Sequence, residues 1–70
     1  MEPQLKSHIR DWRKSKRFTQ SDLAKKVGIT RQSLSAIENE RTIPSLKVAL
    51  KLSSIFETEV NELFTLKTSE

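Results

Sequence analysis

Arg31, Gln32, Ser35, Ala36 and Asn39 are spaced so that a helix would gather them on one side. At about 100° per residue, Leu34 and Ile37 lie within roughly 60° of each other, while Gln32 and Ala36 lie about 160° from Leu34. The side away from the apolar pair therefore carries Arg31, Gln32, Ser35, Ala36 and Asn39, without the Glu and Lys pairs of an ordinary solvated face. Such a set can hydrogen-bond to the planar edges of bases. An Arg fits the O6/N7 edge of guanine bidentately, a Gln the N6/N7 edge of adenine, and a small Ala meets a thymine methyl. Free amides in the first turn suit a phosphate. On spacing alone, a plain exposed polar face is the competing reading.

The neighbouring elements decide how that face is held. Thr30 is an N-cap for the helix, and the turn Gly28-Ile29-Thr30 joins it to a preceding helix over Gln20–Val27. Thr19 and Asp22 form a capping-box pair at the start of that helix, and the only glycine, Gly28, ends it. Leu23, Ala24 and Val27 give it an inner face; small Ala24 permits a close crossing, and Ile29 plugs the turn. Two helices of this length around a three-residue turn match the helix-turn-helix unit, although αα-corners of purely structural bundles share the spacing.

Leu5, Ile9 and Trp12 recur at i, i+4, i+7 and predict a first helix over 4–16, with Trp12 in the core. Its end carries the basic run Arg13-Lys14-Ser15-Lys16-Arg17, and Phe18 folds back onto the core. Pro44-Ser45 opens a fourth helix, with Leu46, Ala49, Leu50, Ser53 and Phe56 on one side. Thr58 is expected to cap a fifth, in which Val60, Leu63 and Phe64 point inward. Thr65–Thr68 is either a short strand or a frayed tail. The expected fold is a compact all-α domain of five helices with short connections, one domain over residues 1–70.

Composition narrows the chemistry. Without cysteine, disulfides, thiolate zinc sites and cysteine nucleophiles are excluded. The one histidine, His8, has no carboxylates at ligand spacing, and Glu57, Glu59 and Glu62 suit a helix start rather than a metal or acid/base site. No cofactor is expected. No nucleophile–base pair or phosphate-cradling glycine loop is present, so an enzyme is not expected. No apolar run reaches the roughly 18–20 residues of a membrane span, and the first twenty residues lack the apolar core of a leader. A cytoplasmic location is the expectation. The net charge of +4 is uneven: residues 1–31 balance at +6 and residues 32–70 at −2. A basic half facing a polyanion and a near-neutral half used for packing or pairing would account for it, as would a solvated basic helix face.

The stretch FTQSDLAKKVGITRQSLSAIENER, extended by PSLKVALKLSSIFETEVNELF, resembles the Cro/lambda-repressor-type helix-turn-helix family, often called the XRE family. The likeness covers residues 5–66. It rests on Thr-Gln at 19–20, Leu-Ala at 23–24, Gly28, Leu34, Ile37, Glu38, Asn39, Pro44 and Leu46. The resemblance implies a lambda-repressor-like fold with its helix-turn-helix at about 19–39 and its recognition helix at about 30–39. It further implies that Arg31, Gln32 and Ala36 face bases and that Ser35 reaches base or phosphate. Gln20, Asn39 and Arg41 would hold the DNA backbone, and Thr30 the backbone or a thymine methyl. Next to such a unit, the basic run at the end of the first helix suits peripheral phosphate contact by Lys14, Lys16 or Arg17. Arg13 and Glu38 would form a structural ion pair. The family usually has Gly after Asn39, where this chain has Glu40. Either Asn39 takes the left-handed turn or the loop is reshaped.

These readings converge on a sequence-specific regulator of transcription that binds double-stranded DNA, a repressor on a palindromic operator. The apolar bulk of Val60, Leu63, Phe64 and Leu66 suggests a homodimer through Val60, Phe64 and Leu66, with recognition helices about 34 Å apart. An antitoxin or a restriction controller, with a toxin or antagonist protein as partner, is the alternative within the class. A protein-interaction module that reads no DNA is the alternative outside it.

Overall fold

The computed structural model describes residues 4–67. Strand β1 (Gln4–Ser7) leads into α1 (Ile9–Ser15), α2 (Gln20–Val27), α3 (Arg31–Glu38), α4 (Leu46–Phe56) and α5 (Val60–Leu63), and strand β2 (Phe64–Lys67) closes the order. The two strands pair antiparallel, with Gln4 opposite Lys67, Leu5 opposite Leu66, Lys6 opposite Thr65 and Ser7 opposite Phe64. The fold is the expected helical one with a terminal two-stranded sheet. The tail is thus a strand as far as Lys67, and Thr68 lies outside the described residues.

The start of the chain departs from the helix over 4–16. Residues 4–7 alternate exposed and half-buried at period two, and α1 begins only at Ile9. Leu5, Ile9 and Trp12 all reach the core, so the apolar spacing was compatible with a helix. The competing partner for Leu5 is Leu66, which lies too far along the chain for a local pattern to reveal it. The His8 amide donates to the Leu63 carbonyl (2.8 Å), which fixes where the strand gives way to the helix.

Three N-caps follow from their hydroxyls. Thr19 accepts from the Asp22 amide while the Asp22 carboxylate accepts from the Thr19 amide, a complete capping box. Those hydrogen bonds from Thr19 hold the Asp22 carboxyl below its ordinary range. Thr30 accepts from the Ser33 amide and Ser45 from the Val48 amide. Thr58 is not a cap: Glu59 holds that place in α5 without a side-chain bond. The Thr58 carbonyl instead accepts from the Ser53 hydroxyl.

The core is Ile9, Leu23, Ala24, Val27, Leu34, Ile37, Ala49, Leu52, Phe56, Leu63 and Phe64. Leu23 and Leu34 have no exposed surface, and burial of each contributes about 1.5–3 kcal/mol. Trp12 and Phe18 flank Phe56 at ring-centroid distances of 5.8 and 6.3 Å. In α4 the inward stripe is Ala49, Leu52 and Phe56, whereas Leu46 and Leu50 are 73% and 55% exposed. The face expected from the sequence was rotated, because Leu46 and Leu50 also repeat at a helical interval but lie outside the stripe that meets α2 and α5.

Candidate nucleic-acid interface

Helix α2 is turned into α3 by Gly28, at φ +84°, and the amides of Gly28 and Ile29 return to the Lys25 and Ala24 carbonyls. That left-handed backbone is the reason for glycine here; a Cβ would meet only the Lys51 ammonium, at 3.7 Å. Ala24 is buried and Ile29 packs on the core, so the two helices cross closely. Leu34, Ile37 and Glu38 are the buried side of α3. Arg31 and Gln32 are exposed, and Ser35 and Ala36 are half-buried. The Arg31–Gln32 end of α3 is therefore its open end.

A chain of charge-assisted bonds braces that end from within. The Glu38 carboxylate has no side-chain exposure and accepts from Arg13 Nε at 2.6 Å and Arg13 Nη2 at 3.3 Å. Burial pushes its carboxyl up, but hydrogen bonds from Arg13 and Gln20 outweigh this and hold it below the ordinary range. Gln20 Nε2 donates to Glu38 Oε1 at 3.1 Å. A carboxylate only accepts, so this bond fixes which way the amide points, and Gln20 Oε1 is left to accept from Arg31 Nη1 at 3.4 Å. The buried pair thus orients Gln20, and Gln20 steadies Arg31.

Beside this brace lies an open groove of about 570 Å³ lined by Arg13, Lys14, Arg17, Phe18, Thr19, Gln20, Ser21 and Arg31. It brings together the N-terminus of α2, where unpaired amides point outward, and the basic end of α1. Lys14 and Arg17 are both exposed. Arg17 is set by a left-handed backbone (φ 60°), with Phe18 N donating to the Arg13 carbonyl at 3.1 Å. Lys26 lies 5.2 Å from the Phe18 ring centroid, a cation–π contact at the edge of the same surface.

The far end of α3 differs from both readings of its departure from the family pattern. Asn39 keeps φ −92°, and Glu40 itself takes the left-handed conformation at φ 62°. The Glu40 amide donates to the Ile37 carbonyl and the Arg41 amide to the Ala36 carbonyl, which completes a Schellman motif without glycine. Asn39 is held by its own side chain: Oδ1 accepts from Arg10 Nη2 at 2.7 Å, and Nδ2 donates to the Ser35 carbonyl at 2.9 Å. Thr30 is similarly engaged with Ser33, whereas Arg41 is exposed. Arg10, which also lies 3.7 Å from Glu38, was missed by sequence reasoning. Its position three residues before Arg13, on the same helical face, was the available signal.

His8 pairs with Thr65, Nε2 to Oγ1 at 3.1 Å. No cluster of three or more His, Asp or Glu suited to a metal occurs among the described residues. None of their helices is long and apolar enough to cross a membrane. Of the residues expected at a dimer face, Phe64 is 6% exposed and Val60 partly buried within this chain's own core, while Leu66 is 66% exposed.

The model of a helix-turn-helix family matches residues 9–63, and the chain belongs to that family of DNA-binding regulators. An HTH-type transcriptional regulator of Methanocaldococcus jannaschii is 36% identical over 66 residues, 94% of this chain and all of that protein. The solved N-terminal DNA-binding domain of SinR from Bacillus subtilis superposes with a TM-score of 0.69 at 33% identity, covering 76% of this chain and 78% of that one. SinR in its complex with SinI gives the same TM-score at 36% identity, covering 77% of this chain and 53% of that one. The protein is a DNA-binding transcription regulator.

Proposed function

We propose that the protein is a repressor that occupies a palindromic operator as a homodimer. The carrying observation is the cationic groove between α1 and α2, continuous with Arg31 at the open end of α3. A duplex phosphate fits the groove at the start of α2, among Lys14, Arg17 and Gln20, with Thr30 and Arg41 as outer backbone contacts and Asn39 contributing once Arg10 shares its carbonyl. That seating places Arg31 and Gln32 over base edges in the major groove, with Ser35 and Ala36 beneath them. A protein of this kind represses by occupying the site that a polymerase or activator needs.

The dimer reading draws support from surface rather than core. Leu66, Ile43, Leu46 and Leu50 are 66%, 75%, 73% and 55% exposed. Leu66 is the cross-strand partner of Leu5, which lines one groove with Ile43, so the apolar surface runs on from the sheet to the loop before α4. The solved SinR–SinI complex favours a second reading, in which a protein antagonist joins or replaces the second copy.

Selection of bound sequences from a random duplex pool, followed by filter binding in rising salt, tests the function. We expect an inverted-repeat consensus and a steep linear fall of log affinity with log salt. A flat salt response would point to a module that binds protein rather than DNA.

A further inference from the structure

The groove and the α3 brace leave Glu40 unexplained: an acid two residues past the end of α3, in a left-handed backbone that glycine adopts without strain. Its carboxylate is not free. Oε2 accepts from the Ser7 amide at 2.9 Å, and Oε1 accepts from Lys67 Nζ at 2.6 Å. One side chain therefore joins the exit of α3 to β1 and to β2: Ser7 and Lys67 stand at opposite ends of the sheet, and the long Lys67 side chain reaches back to the carboxylate that the Ser7 amide holds. Arg41, the next residue, is exposed beside it and is closed onto Ala36 by its own amide.

We propose that Glu40 is a positioning residue that latches the exit of the recognition helix to the terminal sheet, with Lys67 masking a carboxylate that would otherwise repel the DNA backbone. This rests on the DNA-binding reading above and adds to it a role for the C-terminal strand. While the latch is closed, the backbone at Asn39–Arg41 is fixed and the charge of Glu40 is neutralised. When β2 is displaced, Lys67 leaves, and an unpaired carboxylate stands beside Arg41. The sheet is thereby coupled to DNA affinity without touching DNA.

A double-mutant cycle on the full chain tests this, using fluorescence anisotropy on the selected duplex and on an unrelated duplex at one fixed salt concentration. Lys67→Met should weaken binding to both duplexes about 3–10-fold, the scale of one unmasked charge near a phosphate. In the Glu40→Gln background the same substitution should cost less than about twofold, because no charge remains to mask. Circular dichroism should show every variant folded, and the Asn39–Thr42 amide resonances should shift in Lys67→Met while those of Leu23 and Leu34 stay in place. An equal loss in both backgrounds would make Lys67 a direct phosphate contact and overturn the latch. So would a Lys67→Met chain that unfolds or binds as wild type does. If the wild-type chain itself binds no duplex, the DNA reading fails first, and the absence of any measurable affinity in all four proteins identifies that case.

Discussion

The Arg13–Glu38 pair decides more than its size suggests. A carboxylate removed from water is tolerable only while its partners stay in place, so losing one partner costs more than the pair contributes. Arg13→Ala should destabilise the domain by up to about 3–5 kcal/mol in urea unfolding, because it strips the buried Glu38 of its two-pronged partner and leaves only Gln20 and the more distant Arg10. The same carboxyl sets the acid limit. Its folded-state pKa lies below the unfolded value, so its contribution is fully present above about pH 4.3 and is lost as pH falls through the depressed folded value. Chemical denaturation midpoints should be insensitive to Glu38 between neutrality and that point and should drop below it; Glu38→Gln should remove this part of the decline. At the open end of α3, Arg31→Ala should cost about 1–3 kcal/mol on the selected duplex and relax preference at one base pair. Lys14→Ala should weaken all sequences alike and flatten the salt slope. Competition binding against single-base variants separates the two, since uniform loss at Arg31 would make it a phosphate contact. Arg13 and Glu38 were reachable through the family resemblance, and the exposed face of α3 through its periodicity. Arg10 was not found because its carbonyl partner on Asn39 is supplied by another helix.

At the scale of elements, the beginnings of α2, α3 and α4 and the ends of α1, α2 and α3 were legible, while the beginnings of α1 and α5 were not. Thr19, Thr30 and Ser45 carry hydroxyls one turn from the amides they satisfy, a relation contained within four residues. Four left-handed residues follow the main helices, Arg17, Gly28, Glu40 and Glu57, and only one is glycine. A rule that waits for glycine finds one end in four. The Glu57 and Thr58 amides return to the Ser54 and Ser53 carbonyls, the same closure as at Glu40. Unlike Glu40, the Glu57 side chain holds nothing among the described hydrogen bonds. Glu57→Gly should therefore raise stability by about 0.5–1 kcal/mol, relieving left-handed strain at little loss. Gly28→Ala should lower it by about 1–2 kcal/mol through backbone conformation alone, since its Cβ would find ordinary space. Thermal melts of both variants check the pair, and equal signs would contradict the assignment.

For the whole molecule, the fold was readable except where it depended on distant partners. The helical core followed from apolar spacing, yet residues 4–7 were placed in a helix because nothing near them betrays Phe64–Lys67. The α4 error is of the same kind: Leu46 and Leu50 match a helical interval, and only packing reveals that they face outward. The exposure of Leu66 carries a prediction. Leu66→Asp should shift a dimer to monomer in sedimentation equilibrium and weaken operator binding more than half-site binding, while the melting curve of the monomer changes little. A wild-type chain that stays monomeric at high concentration would remove the dimer from the proposed function.

The pairing of β1 with β2 also orders events in time. Ser7 and Phe64 can meet only after a loop of more than fifty residues has closed, and that entropy is recovered only if the helices between them have already condensed. The two strands are thus expected to zip last and open first. A molecule caught partway, with its helices assembled and its strands apart, would hold α3 in place but without the Glu40 bonds to Ser7 and Lys67 at its far end.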